Sequence, residues 1–238
     1  MQSSRSRRVW NQSLFHNKMP IQYNHKIDPQ GLDGAQAAIP YILGTHVPAS
    51  VLDVGCGVGK WLKALEVHGI TNVYGIDGVD IPEGELLVSR SKFQAVDLRT
   101  EWRLPQRYDL IICMEVAEHL EEQYAESLVR AICLHSDRVA FSAACPGQEG
   151  QNHVNCQWPQ YWQAKFNKCG YACCDDVRWK MWSDERIESY YRQNCFIAFT
   201  DFERAGSENR ILSVIHPEML ENLTAGAVRA FNRQSGQH

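Results

Sequence analysis

Short apolar runs alternate with amphipathic stretches through the middle of the chain. Residues 50–54 have strand character and run into a glycine cluster at 55–59. Helical spacing follows from 60 to about 68, with Trp61, Leu62 and Leu65 on one face. Further strand-like runs lie at 73–76, 93–98 and 108–114. Leu120, Tyr124, Leu128 and Ile132 repeat every four residues and predict a long amphipathic helix. A fifth strand is expected over 138–143. A helix is expected from about 158 to 169, with Pro159 near its start and Gly170 just past its end. Residues 172–179 and 195–199 read as two more strands. Helical patterns also cover 34–43 and 217 to about 231.

Strands alternating with helices predict an α/β fold with a doubly wound parallel sheet. Such sheets bind ligands at the carboxyl ends of their strands. The functional residues should therefore follow Val54, Ile76, Val96, Met114 and Phe141. Three segments are expected: 1–32 as an N-terminal lid or flexible stretch, 33–202 as the core domain, and 203–238 as a C-terminal helical extension for packing or dimer contact.

Bulk composition narrows the partners. The 238 residues carry a net charge of −4, with 44% hydrophobic and 22% charged positions, as a globular domain does. No basic excess calls for nucleic acid or an anionic membrane. No run approaches the ~18 apolar residues of a membrane span. The basic start, residues 1–8, leads into polar sequence instead of an apolar core, so a secretory signal is not expected and a cytoplasmic location is. The nine cysteines are odd in number and contain no CxxC pair, which favours small buried thiols over a disulfide framework or zinc knuckle. Cys56 lies beside acids that would raise its pKa.

The sharpest chemical signal is the run from Val51 to Gly59, VLDVGCGVG. Gly55, Gly57 and Gly59 allow a tight turn and close approach of backbone to a ligand. A dinucleotide site would place its third glycine one residue later, where Lys60 stands, and Asp53 would repel a pyrophosphate. That carboxylate suits a cationic ligand such as an ammonium or sulfonium. Asp77 ends the next strand, 18 residues after Gly59, where an acid can accept both hydroxyls of a ribose. Asp97 ends the third strand and can take an adenine amino group. Each acid alone could be a cap or turn former; three after successive strands, together with the loop, form a nucleoside site.

With the glycine loop, Asp77, Asp97-Leu98 and the run from Glu115 to His119 (EVAEH) in hand, residues 33–200 resemble the class I methyltransferases that use S-adenosylmethionine (SAM). The resemblance implies a seven-stranded, mostly parallel sheet with the last strand antiparallel and helices on both faces. It implies SAM over Gly55, Cys56, Gly57 and Gly59, its ribose on Asp77 and Gly78, its adenine beside Asp97 and Leu98, and Glu115 and Val116 on the same site. The product would be S-adenosylhomocysteine (SAH).

On the acceptor side, Glu115, Glu118 and His119 sit at i, i+3 and i+4 of the expected long helix and can share a face. His119 is a candidate base or positioning group. The three together are weak candidates for a divalent metal, and the motif is similar to ones in ubiquinone-pathway O-methyltransferases and small-RNA 2′-O-methyltransferases. The plainer reading has both acids favouring a helix N-terminus and the imidazole packing. Residues 147–162 overhang the same mouth: His153 is a second base candidate, and Asn155 and Trp158 are acceptor-binding candidates. Trp162 and Phe166 read as core. The segment is similar to one in bacterial small-molecule methyltransferases linked to natural-product or glycan pathways. Arg192 could read a polar or acidic acceptor, or sit on a solvated turn. Tyr23 and His25 could reach the ligand from above.

The reading is a methyltransferase acting at oxygen or nitrogen of a small metabolite, as monomer or homodimer, without nucleic acid or membrane. A rival keeps the fold and SAM but cyclises or transfers the aminobutyryl arm and releases methylthioadenosine. A third, a SAM-fold protein without catalysis, is opposed by the intact loop and acids. A nicotinamide enzyme is opposed by Lys60 and Asp53.

Overall fold

The computed structural model describes residues 23–25 and 31–225. Seven strands lie in one sheet: β1 (Val51–Val54), β2 (Val73–Asp77), β3 (Phe93–Ala95), β4 (Leu110–Met114), β5 (Arg138–Ser142), β6 (Tyr171–Cys174) and β7 (Phe196–Thr200). Their spatial order is β3-β2-β1-β4-β5-β7-β6. β1 pairs in parallel with β2 on one side and β4 on the other, aligning Val51 with Val73 and with Leu110. β7 runs antiparallel to both neighbours, β5 and β6. This is the sheet that the resemblance implied.

The helices are α1 (Leu32–Leu43), α2 (Lys60–Val67), α3 (Ala125–His135), α4 (Pro159–Lys168), α5 (Asp176–Met181), α6 (Ser189–Asn194) and α7 (217–225). Because both faces of the sheet are covered, the strands read as unbroken apolar runs. In β4, Ile111 and Cys113 point into a core shared with α3 and α4, while Leu110, Ile112 and Met114 point into one shared with α1, α2, α5 and α6. Trp162 and Phe166 are buried against Phe141 and Phe196 in the first core, as their spacing predicted. All nine cysteines are free thiols, buried or half-buried.

Three expectations need correction. The long helix through Leu120 does not begin there. Leu120 is extended, a short turn covers Glu122–Tyr124, and α3 starts at Ala125. Leu120 still keeps the apolar spacing because it packs into the same core as Leu128 and Ile132. Glu115, Glu118 and His119 therefore lie on a strand end and a 3₁₀ turn (Ala117–His119), not on one helix face. The strand expected over 172–179 stops at Cys174. Asp175 then starts α5, accepting hydrogen bonds from the Arg178 guanidinium and from Trp179 Nε1. Adjacent aspartates at 175 and 176 favour a helix N-terminus over a strand interior. The run expected as strand over 93–98 ends at Ala95, and the chain beyond follows β2 through the Val96 N–H bond to Asp77 O at 2.8 Å.

The sheet order reverses between β1 and β4. That switch point opens a crevice at the strands' carboxyl ends, flanked by the glycine loop after β1 and the 115–119 turn after β4. Residues 1–22, 26–30 and 226–238 lie outside the described residues. So does most of the expected lid, and the end of the helix expected to reach about 231.

Candidate functional site

The glycine loop is held by its own backbone. Gly55 N and Cys56 N both donate to Ile76 O, at 2.7 and 3.1 Å, which ties the turn to β2. Gly55, Gly57 and Gly59 all have positive φ, at 78°, 50° and 88°. A Cβ on Gly55 would lie 2.4 Å from Val116 Cγ2, so side-chain-free backbone lets the turns after β1 and β4 close together. Gly57 N donates to Asp77 Oδ2 and Val79 N to Asp77 Oδ1, both at 2.8 Å. The carboxylate at the end of β2 is thereby locked in one orientation.

These groups border a cavity of about 410 Å³. Its wall includes Gly55, Cys56, Gly57, Asp77, Gly78, Leu98, Glu115, Val116 and His119 from the expected set. Three expected residues stand off it. Gly59 caps α2 from behind. Asp53 lies under the loop, 1% exposed, with Oδ2 buried and unpartnered. Burial, and then the charge of Asp77, push its pKa well above the usual carboxylate range. Cys56 is pushed up by burial and the same two acids. Asp97 is turned away: its oxygens accept from Arg99 N and Nε at 2.9 Å and from Nη2 at 3.0 Å. Leu98 and Arg99 face the cavity in its place. Sequence reasoning missed Arg99, although a cation two residues after an acid can fold back onto it. Tyr23 and His25 do reach this cavity, and His25 Nε2 stands 3.7 Å from Asp77 Oδ1.

A second cavity, about 770 Å³, meets the first at Tyr23, Glu115 and His119. Four separate stretches wall it together with Tyr23: 115–119, 148–153, 185–192 and 218–223. Glu115 has φ 56°, an uncommon left-handed conformation for a residue with a side chain, which turns the chain sharply out of β4. Its carboxylate accepts from Gln148 Nε2 at 2.6 Å and Asn194 Nδ2 at 3.3 Å. Gln148 and Asn194 carried no signal in the sequence, because each is polar and far from residue 115 along the chain. Glu118 is fully buried, with its carboxyl facing that of Glu115. Burial raises the pKa of both acids, and for Glu118 the Glu115 charge adds to it.

His119 and His153 stand edge to face, ring centroids 5.0 Å apart, with Tyr23 on the other side of His119 at 4.9 Å. Burial, and then His153, lower the His119 pKa to about 4; burial also lowers that of His153. Both rings are neutral near pH 7. His153 Nδ1 lies 3.0 Å from Gln148 O. A carbonyl only accepts, so Nδ1 carries the proton and Nε2 keeps its lone pair. Ligand atoms of Glu118, His119 and His153 fall within 4.8 Å of one another, close enough for one divalent cation. Glu115 is not in that group, since two amides hold its carboxylate; His153 takes the position expected for it.

The remaining expected residues lie elsewhere or are engaged. Asn155 is buried, with Oδ1 accepting from Gln157 Nε2 at 3.1 Å, and Trp158 stands at the start of α4; neither lines either of these two cavities. Arg192 borders the second cavity but is nearly fully buried. It donates to Trp182 O at 3.0 Å and Glu218 Oε2 at 2.5 Å and lies 3.2 Å from His216 Nε2, which ties α6 to α7.

A family model described as a methyltransferase domain matches residues 23–190. A ubiquinone biosynthesis O-methyltransferase of Coxiella burnetii is 33% identical over 107 residues, 41% of this chain and 42% of that protein. One from Pseudomonas syringae is 31% identical over 91 residues, 34% of this chain and 37% of that protein. The matched stretch thus spans less than half the length of these curated relatives. Among solved structures, the sugar N-methyltransferase KedS8 of Streptoalloteichus aligns with TM-score 0.57 at 14% identity, covering 81% of this chain and 98% of that one. The magnesium protoporphyrin IX methyltransferase of Synechocystis, with bound SAH, aligns with TM-score 0.52 at 18% identity, covering 71% and 83%. Likeness at these identities establishes the fold. Among the described residues no helix is long and apolar enough to cross a membrane.

Proposed function

Since the chain belongs to the methyltransferase-domain family, we propose that it is a SAM-dependent methyltransferase acting at oxygen or nitrogen of a small molecule. The observation that carries this reading is the locked Asp77 carboxylate beside a glycine turn that no side chain could share. The first cavity would hold the nucleoside: Asp77 would accept the ribose hydroxyls, Leu98 would pack on the adenine, and the 55–57 backbone would lie along the ligand. Asp53 keeps a buried, unpartnered oxygen beneath the loop, where burial and the Asp77 charge favour its neutral form. When bound there, SAM supplies a methyl group on a sulfonium, open to in-line attack.

The second cavity would hold the acceptor. Its meeting with the first at Tyr23, Glu115 and His119 would bring the nucleophile toward the methyl group, and orientation of this kind lowers the barrier. His119 and His153 stay neutral there, and the Nε2 lone pair of His153 is available to orient a hydroxyl or amine or to accept its proton. The natural-product and glycan association belongs to this proposal and rests on the sequence of the 147–162 loop.

Incubation with SAM and pools of small metabolites, followed by chromatography and mass spectrometry of the nucleosides, tests the reading. SAH formed together with a product heavier by one methylene unit is the expected outcome. Methylthioadenosine released from SAM alone, and absent with Asp77→Ala, would overturn methyl transfer.

A further inference from the structure

Away from both cavities, the last turn of α3 meets the end of α4 over the first core. Glu126, Arg130 and Cys133 stand at i, i+4 and i+7 of α3 and share one helix face. Lys168, the last residue of α4, places Nζ 3.5 Å from Glu126, which also pairs with Arg130 at 3.3 Å. Tyr171 opens β6, and its hydroxyl donates to Cys133 O at 2.9 Å. Asn167 Nδ2 donates to Tyr171 O at 2.8 Å and closes the turn between α4 and β6. Cys169 lies between Lys168 and Tyr171, so contacts on both sides press it onto α3 at Cys133. Both cysteines pack against the same apolar core, and their thiols share a hydrogen bond.

The two thiols are unlike the rest. Both are free and half-buried, so a small oxidant can reach them. The hydrogen bond from Cys133 holds the Cys169 thiol below the usual cysteine range. Partial burial opposes that shift, the Arg130 charge supports it, Glu126 offsets part of it and Lys168 adds a little more. The same hydrogen bond lifts the Cys133 thiol. Each of the other seven thiols is pushed up, by burial first. A thiolate, not a thiol, is the nucleophile, so attack on an oxidant concentrates at Cys169 with Cys133 already beside it.

We infer that Cys133 and Cys169 are a modification site, a dithiol that hydrogen peroxide closes to a disulfide between α3 and the end of α4. The Cys169 thiolate attacks one peroxide oxygen. An S–O bond forms, the O–O bond breaks, and the hydroxide that leaves takes up a proton as water. Cys169 is then a sulfenic acid. The Cys133 sulfur attacks that sulfur next. An S–S bond forms, the S–O bond breaks, and the departing hydroxide takes the Cys133 proton as a second water. Two thiols are oxidised by two electrons, and one peroxide is reduced to two waters. The bond encloses residues 134–168, which hold β5, the 148–153 wall of the second cavity and α4.

The test treats the full reduced chain with a small excess of hydrogen peroxide, blocks the remaining thiols with N-ethylmaleimide and reads the intact mass. The expected product is a monomer that has lost two hydrogens and regains them with dithiothreitol. Trypsin cuts after Arg130, Arg138, Lys168 and Arg178, so peptides 131–138 and 169–178 should appear as one linked species. Fragment spectra should place the bond at Cys169, not at Cys173 or Cys174. Cys133→Ser should stop at the Cys169 sulfenic acid, trapped by dimedone, and Cys169→Ser should lower that labelling at least about ten-fold. Unchanged far-UV circular dichroism shows that both variants fold. A bond through Cys173 or Cys174, a disulfide between two copies of the chain, added oxygens without a disulfide, or equal labelling in Cys169→Ser would each overturn the inference.

Discussion

The cavity at the glycine loop takes its turn and its acid from one β-α-β unit, residues 51–79. The cavity beside Glu118 draws on Tyr23 and on four stretches spread from 115 to 223. In the first, the decisive contacts are backbone to backbone or backbone to one side chain: Gly55 and Cys56 to Ile76, Gly57 and Val79 to Asp77. In the second they are side chain to side chain over long separations, such as Asn194 to Glu115 and Arg192 to Glu218. Short loops tied to a buried sheet hold one ligand geometry against sequence change, whereas a wall assembled from distant loops can be rebuilt residue by residue. A shared ligand belongs in the first kind of site and a variable one in the second.

The largest test of that division is Asp77→Ala. Loss of a charged acceptor for two ribose hydroxyls should cost about 4 kcal/mol, near a thousand-fold in SAH affinity by calorimetry. Retained affinity would remove Asp77 from the nucleoside site.

Next comes a pH effect on stability. The unfolded chain takes up the His119 proton near 6.5, whereas the folded chain waits until about 4. Acidification through that window therefore draws the wild type toward the unfolded state, by about 3 kcal/mol at most. Glu115 and Glu118 hold protons more tightly when folded and push the other way. The wild type should thus lose stability relative to His119→Gln as pH falls from 7 toward 4, read from paired urea melts. A constant difference between the two would mean that the imidazole is not shielded.

His153→Ala should separate the two cavities functionally. Turnover should fall about a hundred-fold, the scale of a lost proton-transfer or orienting group, while SAH affinity changes less than about two-fold. A matched loss in SAH affinity would show that the second cavity is not independent of the first. The smallest effect is expected from Trp158→Ala. Trp158 borders neither cavity, so kcat and KM should both stay within about two-fold. A raised KM alone would return it to the acceptor side.

Much of this architecture was legible in the chain. The alternation of strands and helices, the glycine turn and Asp77 are local in sequence, and their chemistry depends on spacing that a reader can count. The misreadings came where local pattern and tertiary demand diverge. Leu120 kept helical spacing while lying extended, because burial in the core, not the helix, set its position. Asp97 carried the right residue type at a strand end, yet Arg99 two positions on took both its oxygens. Asn155, Trp158 and Arg192 were polar or aromatic in a plausible stretch, and nothing in one sequence could say which way they faced.

The sequence by itself determined the alternation of strands and helices, the turn that only glycine permits after β1, and the acid that closes β2, because each follows from covalent geometry and near neighbours. Only the tertiary structure decided that Glu118 is fully buried against Glu115 while Glu115 is held by Gln148 and Asn194. It alone set His153 against His119 and drew Arg192 inward onto Glu218. Burial and partner choice are set by which distant segments pack together, and they decide the charge, tautomer and availability of each group.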